Sequence, residues 1–221
     1  MLDGYDFAEF FLNTGHNSKD RPTGILVKVD LSPWRVVSHP DEGTDLCAIL
    51  TGDVVNRIIS DGNALGCVHL DEQMIPKDED WQFFDAIEDV VMVGCPNGLA
   101  DEVNHLPIFR RGITASALSK QYNGLQQFVV DMACFPGSSG SPIFLLDRNG
   151  YTDRKTGSFM VGASRVSLIG VLFAGPTIST TGEVLLAKPP QFSLQSMMHL
   201  GFALKSTAVI SLGEEVLATR S

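Results

Sequence analysis

The sequence predicts an all-β fold, a barrel or a sandwich, with a helix near the C-terminus. Three observations carry that prediction. Short segments rich in Val, Ile, Leu and Phe, either alternating or wholly apolar, recur along the whole chain. Turn-forming pairs fall between them: Thr23-Gly24, Asn97-Gly98, Asn123-Gly124, Asn149-Gly150 and Thr181-Gly182. Few segments carry the apolar period of an amphipathic helix, and many short strands with few helices pack as a barrel or a sandwich.

In chain order, the first strands expected are Ala8–Leu12 and Gly24–Val29, on either side of a polar run from Asn13 to Asp20 that reads as a hairpin loop. Trp34–His39 and Asp45–Leu50 follow, then Val90–Cys95, Pro107–Ser116 and Gln127–Ala133. Ser141–Leu146, Ser167–Ala174 and Glu183–Ala187 complete the set. Val54–Ile59 reads as one or two turns of helix, and the acidic stretch Asp78–Glu88 is only partly periodic in Trp81, Phe84, Ala86 and Ile87. Ser206 or Thr207 can cap a helix through Ala208–Leu217, which Gly213 weakens by about 1 kcal/mol relative to Ala. The charge run and Pro76 between Asp71 and Glu88 mark the boundary between two β units, residues 1–80 and 81–221.

Composition narrows the function classes. A chain of 221 residues has room for one or two domains with a sizeable core. Apolar residues at 44% against charged residues at 19% give the balance of a globular chain. A net charge of −10 argues against nucleic acid or an anionic membrane as partner, because both reward clustered Lys and Arg. No apolar run reaches the ~18 residues of a membrane span. The acidic start, Met1-Leu2-Asp3-Gly4-Tyr5-Asp6, lacks the basic and apolar parts of a signal peptide, so a cytoplasmic location is expected. The four cysteines, Cys47, Cys67, Cys95 and Cys134, have no C-x-x-C spacing, and no zinc site is expected. Cys47 and Cys67 sit in apolar segments and read as small core residues with reduced thiols. No metal or organic cofactor is implied.

The segment Phe135-Pro136-Gly137-Ser138-Ser139-Gly140-Ser141-Pro142 is the most informative in the chain. Apolar runs flank it, Gln127-Phe128-Val129-Val130 before and Ile143-Phe144-Leu145-Leu146 after. A tight turn there can present one hydroxyl at a chain reversal. Its glycines permit backbone conformations that turn neighbouring N–H groups to one side. A nucleophilic serine needs both, an exposed Oγ and donors for the oxyanion formed on attack. An ordinary Gly/Ser loop between strands has the same composition.

This turn resembles the Gly-x-Ser-Gly-[Gly/Ser]-Pro nucleophile turn of bacterial trypsin-like (chymotrypsin-fold) serine peptidases. The resemblance implies that Ser139 is the nucleophile and that the N–H groups of Gly137 and Ser139 line the oxyanion hole. Asp45-Leu46-Cys47 resembles the Asp-Leu-Ala pattern at that family's acid position, with Cys where Ala is usual. Asp45 is then the carboxylate that orients the catalytic histidine. Val93-Gly94-Cys95-Pro96-Asn97-Gly98 is similar to the family's strand ending in Gly-[Tyr/Cys]-Pro-x-Gly, and Arg110-Arg111-Gly112 to the core of its following strand. Leu168–Gly175 is similar to the strand that lies beside a bound peptide, and Leu200–Lys205 to the segment leading into a C-terminal helix. The implied primary pocket has its base near Ala133 and Cys134 and its walls at Phe173, Ala174 and Gly175. Asp131 is the nearest carboxylate in sequence. These small or apolar residues imply a preference for small or apolar side chains.

One part of the family pattern is missing. Its order is His, Asp, Ser, with the histidine in a Thr-x-x-His-Val type segment, and no such segment precedes Asp45. His16 lies in the polar loop, His39 lies in the acid loop itself, and His69, His105 and His199 follow the acid. Met1-Leu2-Asp3-Gly4 resembles the short turn that follows the family's histidine. The expectation is therefore a chain that starts just downstream of that residue. An α/β-hydrolase would order Ser139, Asp153 and His199 correctly, but its serine elbow joins a strand to a helix. Here a strand follows the turn.

The expectation is a two-barrel trypsin-like fold with an incomplete first barrel and a C-terminal helix. Its function is that of a serine endopeptidase, weak or inactive as this 221-residue chain. The alternative is a peptidase-fold binding module that holds peptides without cleaving them. The partner expected is a peptide or protein substrate, with no nucleic acid and no membrane. Open barrel edges around Phe7, Phe10 and Phe11 would also favour self-association.

Overall fold

The structure is a computed structural model that describes residues 5–13, 24–183 and 191–219. The chain divides into two compact units. The first holds residues 1–75, 99–108 and 206–221, and the second residues 76–98 and 109–205.

The first unit begins with the hairpin β1 (Phe7–Asn13) and β2 (Gly24–Asp30), paired so that Phe10 faces Val27 and Leu12 faces Ile25. Alternation then sorts the side chains. Val27 and Val29 are buried and pack with Ile58, and Leu12, Ile25, Ile49, Val54 and Leu65 close around them. The opposite side of the hairpin leaves Phe7, Phe11 and Leu26 exposed. A second short ladder joins β3 (Val36–Ser38) to β4 (Cys47–Ile49). The strand expected over Trp34–His39 is shorter because the amides of Arg35 and Val36 turn back onto the Ser32 carbonyl. Helix α1 (Gly52–Ser60) buries Ile58. Among the described residues, this unit has two two-stranded ladders and no closed barrel.

Arg35 ties these pieces together. Its buried guanidinium donates to both carboxylate oxygens of Asp53, at 2.6 and 2.9 Å, to Asp30 at 3.1 Å and to the Leu50 carbonyl at 2.6 Å. The hydrogen bond from Arg35 is the largest of the effects that lower the Asp53 carboxyl from 3.8 to about 2. The folded-state value lies below the unfolded one. The charged pair therefore stabilises the unit fully above the unfolded value, and that contribution is lost as pH falls toward the folded one. Melting of the wild type and of Asp53→Asn should differ at neutral pH and converge as pH falls from 3.8 to about 2. A gap that does not change with pH would show that the pair adds no charge-dependent stability.

The second unit contains a closed six-stranded antiparallel barrel with strand order β11-β14-β7-β6-β5-β8. In chain order its members are β5 (Asp89–Gly94), β6 (Ile108–Thr114), β7 (Gln127–Asp131) and β8 (Pro142–Asp147). The hairpin β9 (Gly150–Asp153) and β10 (Ser158–Val161) precedes β11 (Arg165–Ala174). The ladder of β12 (Thr177–Glu183) and β13 (Gln191–Met197) precedes β14 (Leu200–Lys205). The two-residue period fills the core: Val90 and Met92, Phe128 and Val130, and Ile143 and Leu145 are each buried on alternate positions of their strands. Leu200–Lys205, expected as a lead-in to a helix, is a full barrel strand between β7 and β11. Residues 184–187 of the strand expected over Glu183–Ala187 lie outside the described residues. Asp78–Glu88 forms a short 3-10 helix over Asp78–Phe83, with Trp81 buried in the core.

Two ionic devices close the unit. Arg165 bridges Glu88 at 2.9 Å and Asp147 at 2.8 Å, and burial pushes the Glu88 carboxyl up. Lys205 is buried with its Nζ on the Leu118 carbonyl at 2.7 Å and over the Trp81 ring, and burial lowers its pKa. The C-terminal helix α2 (Thr207–Ala218) has Ser206 at its N-cap position and buries Ala208 and Leu212. It packs beside β3 and β4 and belongs to the first unit. None of the four cysteines is bonded to another. Cys67, read as a core residue, is exposed, because residues 63–70 form an irregular segment over the surface instead of a strand.

Candidate functional site

The serine turn lies wholly in the second unit, between β7 and β8. Its shape follows from two glycines in left-handed conformations, Gly137 at φ +81° and Gly140 at φ +86°. A Cβ on Gly137 would sit 3.1 Å from the Asn97 nitrogen, a tight approach that adds to the strain of a side chain at that positive φ. Hydrogen bonds hold the turn from both sides. Asn97 N–H donates to the Pro136 carbonyl at 2.8 Å, and Gly140 N–H donates to the Leu172 carbonyl at 2.7 Å. Leu172 N–H in turn donates to the Ser141 carbonyl at 2.9 Å. Gly94 leaves room for this arrangement, since a Cβ there would lie 2.0 Å from Ser141 Oγ. That contact explains the glycine of Gly94-Cys95-Pro96.

Of the three serines in the turn, Ser138 and Ser141 are buried and Ser139 alone is exposed. Its Oγ donates to the Phe173 carbonyl at 3.1 Å. Among the described residues, the N–H groups of Gly137 and Ser139 donate no hydrogen bond. Two backbone donors, one on either side of Ser138, are therefore unengaged.

The expected pocket residues lie in the same unit. Ala133, Phe173, Ala174 and Gly175 are half-buried. Cys134 is buried, and its burial pushes the thiol up to about 11, which leaves it a core group and not a nucleophile. The sequence reading missed two side chains here. Arg110 donates from Nη1 to the Ala133 carbonyl and lies over the Phe135 ring, 4.8 Å from its centre. His199 meets the same ring edge-on at 5.9 Å. No sequence signal marks Arg110: position 110 falls on the covered face of β6 with Gly112 and Thr114, while the apolar Phe109 and Ile113 are exposed.

The acid and the histidines stand as follows. Asp45 is exposed in the first unit, just before β4, and among the described residues its carboxylate accepts no hydrogen bond. His39 accepts the Asp41 N–H on Nδ1 at 3.1 Å, which puts its ring proton on the buried Nε2. A base acting through Nε2 needs the opposite tautomer. His69 lies 3.7 Å from the Cys67 sulfur, and His105 stacks on Phe11. His16 lies outside the described residues. Among the described residues, the Ser139 hydroxyl has no imidazole partner.

Among the described residues, no three His, Cys, Asp or Glu side chains cluster so as to hold a metal ion, and no helix is long and apolar enough to cross a membrane. A cavity of about 530 Å³ opens on the barrel beside Asp89, Phe109, Arg111, Arg148 and Asn149. It touches none of the serine-turn residues. Comparison with protein-family models, with curated proteins and with solved structures found no significant match.

Proposed function

We propose that this chain is a trypsin-like serine endopeptidase that acts through an acyl-enzyme on Ser139 and is weak or inactive as it stands. The observation that carries this reading is the exposed Ser139 at a turn with two left-handed glycines, beside two unengaged backbone N–H groups. In the proposed reaction, Ser139 Oγ attacks the peptide carbonyl carbon. The developing oxyanion accepts from the N–H groups of Gly137 and Ser139, where fixed donors act without reorganising. A base must take the hydroxyl proton, and Asp45 is proposed to orient that base. The second barrel of the trypsin-like architecture is part of the proposal, and residues 1–75 would contribute it.

A second reading is a peptide-binding module with the same turn. It draws support from the Ser139 hydroxyl, which donates to the Phe173 carbonyl and not to an imidazole. Labelling with a fluorophosphonate separates the two, because phosphonylation requires an activated serine. Free imidazole can stand in for the base. The expected result is slow labelling at Ser139 that imidazole accelerates and Ser139→Ala abolishes. No label at Ser139 with or without imidazole would exclude the peptidase and leave the binding module.

A further inference from the structure

The cavity of about 530 Å³ on the barrel has no part in the proposed reaction. It lies wholly within the second unit, over the neighbouring strands β6, β5 and β8 and the turn into β9. Its volume falls in the range of small-molecule sites, about 300–1,000 Å³. Part of its wall is apolar. Val90, Met92 and Leu145 fill the barrel core, so their neighbours Val91 and Leu146 stand on the outer face, half-buried in the cavity wall. Phe109 joins them and is 69% exposed, a large apolar side chain with little to cover it.

The charges of the wall sort into spent and unspent groups. Both of its acids are met: Asp147 by Arg165 at 2.8 Å, and Asp89 by Arg111 at 3.1 Å. Arg110 lines the cavity, but its guanidinium serves the Ala133 carbonyl and the Phe135 ring, and neither residue lines the cavity. Arg148 is left. Among the described residues its side chain makes no hydrogen bond or ion pair, and the side-chain amide of Asn149 makes none either. The chain holds these two residues between fixed neighbours. Asp147 is tied to Arg165, and Gly150, at φ +126°, lies so close to β10 that a Cβ would come 2.7 Å from the Met160 carbonyl oxygen.

An unpaired guanidinium and an unpaired amide beside an apolar wall suit an anion with an apolar body. Three arginines against two aspartates leave one positive charge in excess, which one carboxylate balances. A carboxylate also matches the planar fork of a guanidinium. A phosphate dianion would bring more charge toward Asp89 and Asp147 and leave the apolar wall uncovered. We propose that this cavity binds a monocarboxylate with an apolar body, its carboxylate on Arg148 and Asn149 and its body on Phe109, Val91 and Leu146. A free aliphatic or aromatic acid presents that chemistry, and so does the last residue of a peptide ending in an apolar side chain. The cavity touches none of the serine-turn residues, so this site stands or falls apart from the peptidase reading.

The test uses the full chain with two acid–amide pairs. One pair is 4-phenylbutyrate and 4-phenylbutyramide. The other is acetyl-Ala-Ala-Leu with a free or an amidated C-terminus. Inorganic phosphate is the fifth probe. Affinities are measured by calorimetry for the wild type, Arg148→Gln, Phe109→Ala and Ser139→Ala, and the site is located by backbone amide NMR shifts. At least one acid is expected to bind about 10-fold more tightly than its amide, with shifts at residues 148–150. That ratio should shrink with added salt and fall to near one in Arg148→Gln. Phe109→Ala should weaken acid and amide by the same factor, and Ser139→Ala should change nothing. Preference confined to phenylbutyrate marks a free acid as the ligand, and preference confined to the tripeptide marks a peptide end. Acids that bind no tighter than their amides overturn the proposal, as does an Arg148→Gln chain that keeps the preference. Phosphate binding as tightly as the acids overturns it too, because the apolar wall would then add nothing. No saturable binding of either acid ends it. Arg148 is exposed and makes no side-chain contact of its own to lose, and the wild-type ratio with its salt dependence decides the matter without any variant.

Discussion

Incubated with peptide substrates, the chain should hydrolyse them about 10⁴-fold or more slowly than a complete Ser-His-Asp site would. The cause lies at the Ser139 hydroxyl itself. A serine hydroxyl is un-ionised near neutral pH, and it becomes a nucleophile only as a base removes its proton. Here that proton points at the Phe173 carbonyl, an acceptor that cannot take it away. His39 carries its own proton on the nitrogen that would have to accept one. In the proposed reaction the two unengaged N–H groups would still stabilise an oxyanion, so a small residual rate is expected. The measurement is kcat/KM for the wild type, Ser139→Ala, His16→Ala, His39→Ala and His199→Ala. Only Ser139→Ala should lower the residual rate. Robust hydrolysis abolished by both Ser139→Ala and His16→Ala would place the base on His16 and end the account of a missing histidine. Loss with His199→Ala would instead put the base on the loop before β14.

The barrel was legible because its main strands are short apolar runs bounded by turn residues. Val90–Val93, Phe128–Val130 and Ile143–Leu146 are apolar throughout, and only the structure shows which face of each is buried. β9, β10, β12, β13 and β14 escaped notice, and in three of them that signal is weak. β9 and β10 are short and mostly exposed, and β14 carries Gly201 and the buried Lys205 among its apolar residues. Gly201 belongs there because a Cβ would lie 2.5 Å from the Cys134 sulfur, a tertiary contact that no local pattern encodes. The serine turn was legible in another way: its two left-handed glycines and its serines stand in consecutive residues. Arg110 was harder to find. It comes within reach of Ala133 and Phe135 only because β6 and β7 pair in the barrel, at Ile113 with Asp131 and Thr114 with Val130.

Substitution of Gly170 by Ala should destabilise the barrel by about 3 kcal/mol or more, at the upper end of what overpacking a core costs. Gly170 sits in β11 opposite Lys205 of β14 and Ile143 of β8, at the point where the register with β8 shifts. A Cβ there would lie 2.4 Å from the Leu204 carbonyl oxygen and 2.6 Å from the Phe128 ring. The ring is fully buried and the carbonyl is backbone, so neither can yield cheaply. Two further variants separate these contacts. Phe128→Leu alone should cost about 1–3 kcal/mol through the space it leaves. Combining Gly170→Ala with Phe128→Leu relieves the ring but not the carbonyl, so the double variant should cost less than the sum of its parts yet remain well below wild type. Gly157→Ala is the control. Gly157 also has a positive φ, +70°, but nothing lies within 4 Å of its missing Cβ. Its cost should stay near the ~1 kcal/mol of a left-handed alanine. Urea melts of the four variants give the values. A Gly170→Ala chain as stable as Gly157→Ala would mean that β11 moves freely against β14. That would also loosen the serine turn, because Leu172, two residues on in β11, accepts the Gly140 N–H and donates to the Ser141 carbonyl. Strand packing at Gly170 and the position of the Ser139 hydroxyl are thus coupled through two backbone hydrogen bonds. Loss of barrel stability and loss of fluorophosphonate labelling should appear together in Gly170→Ala.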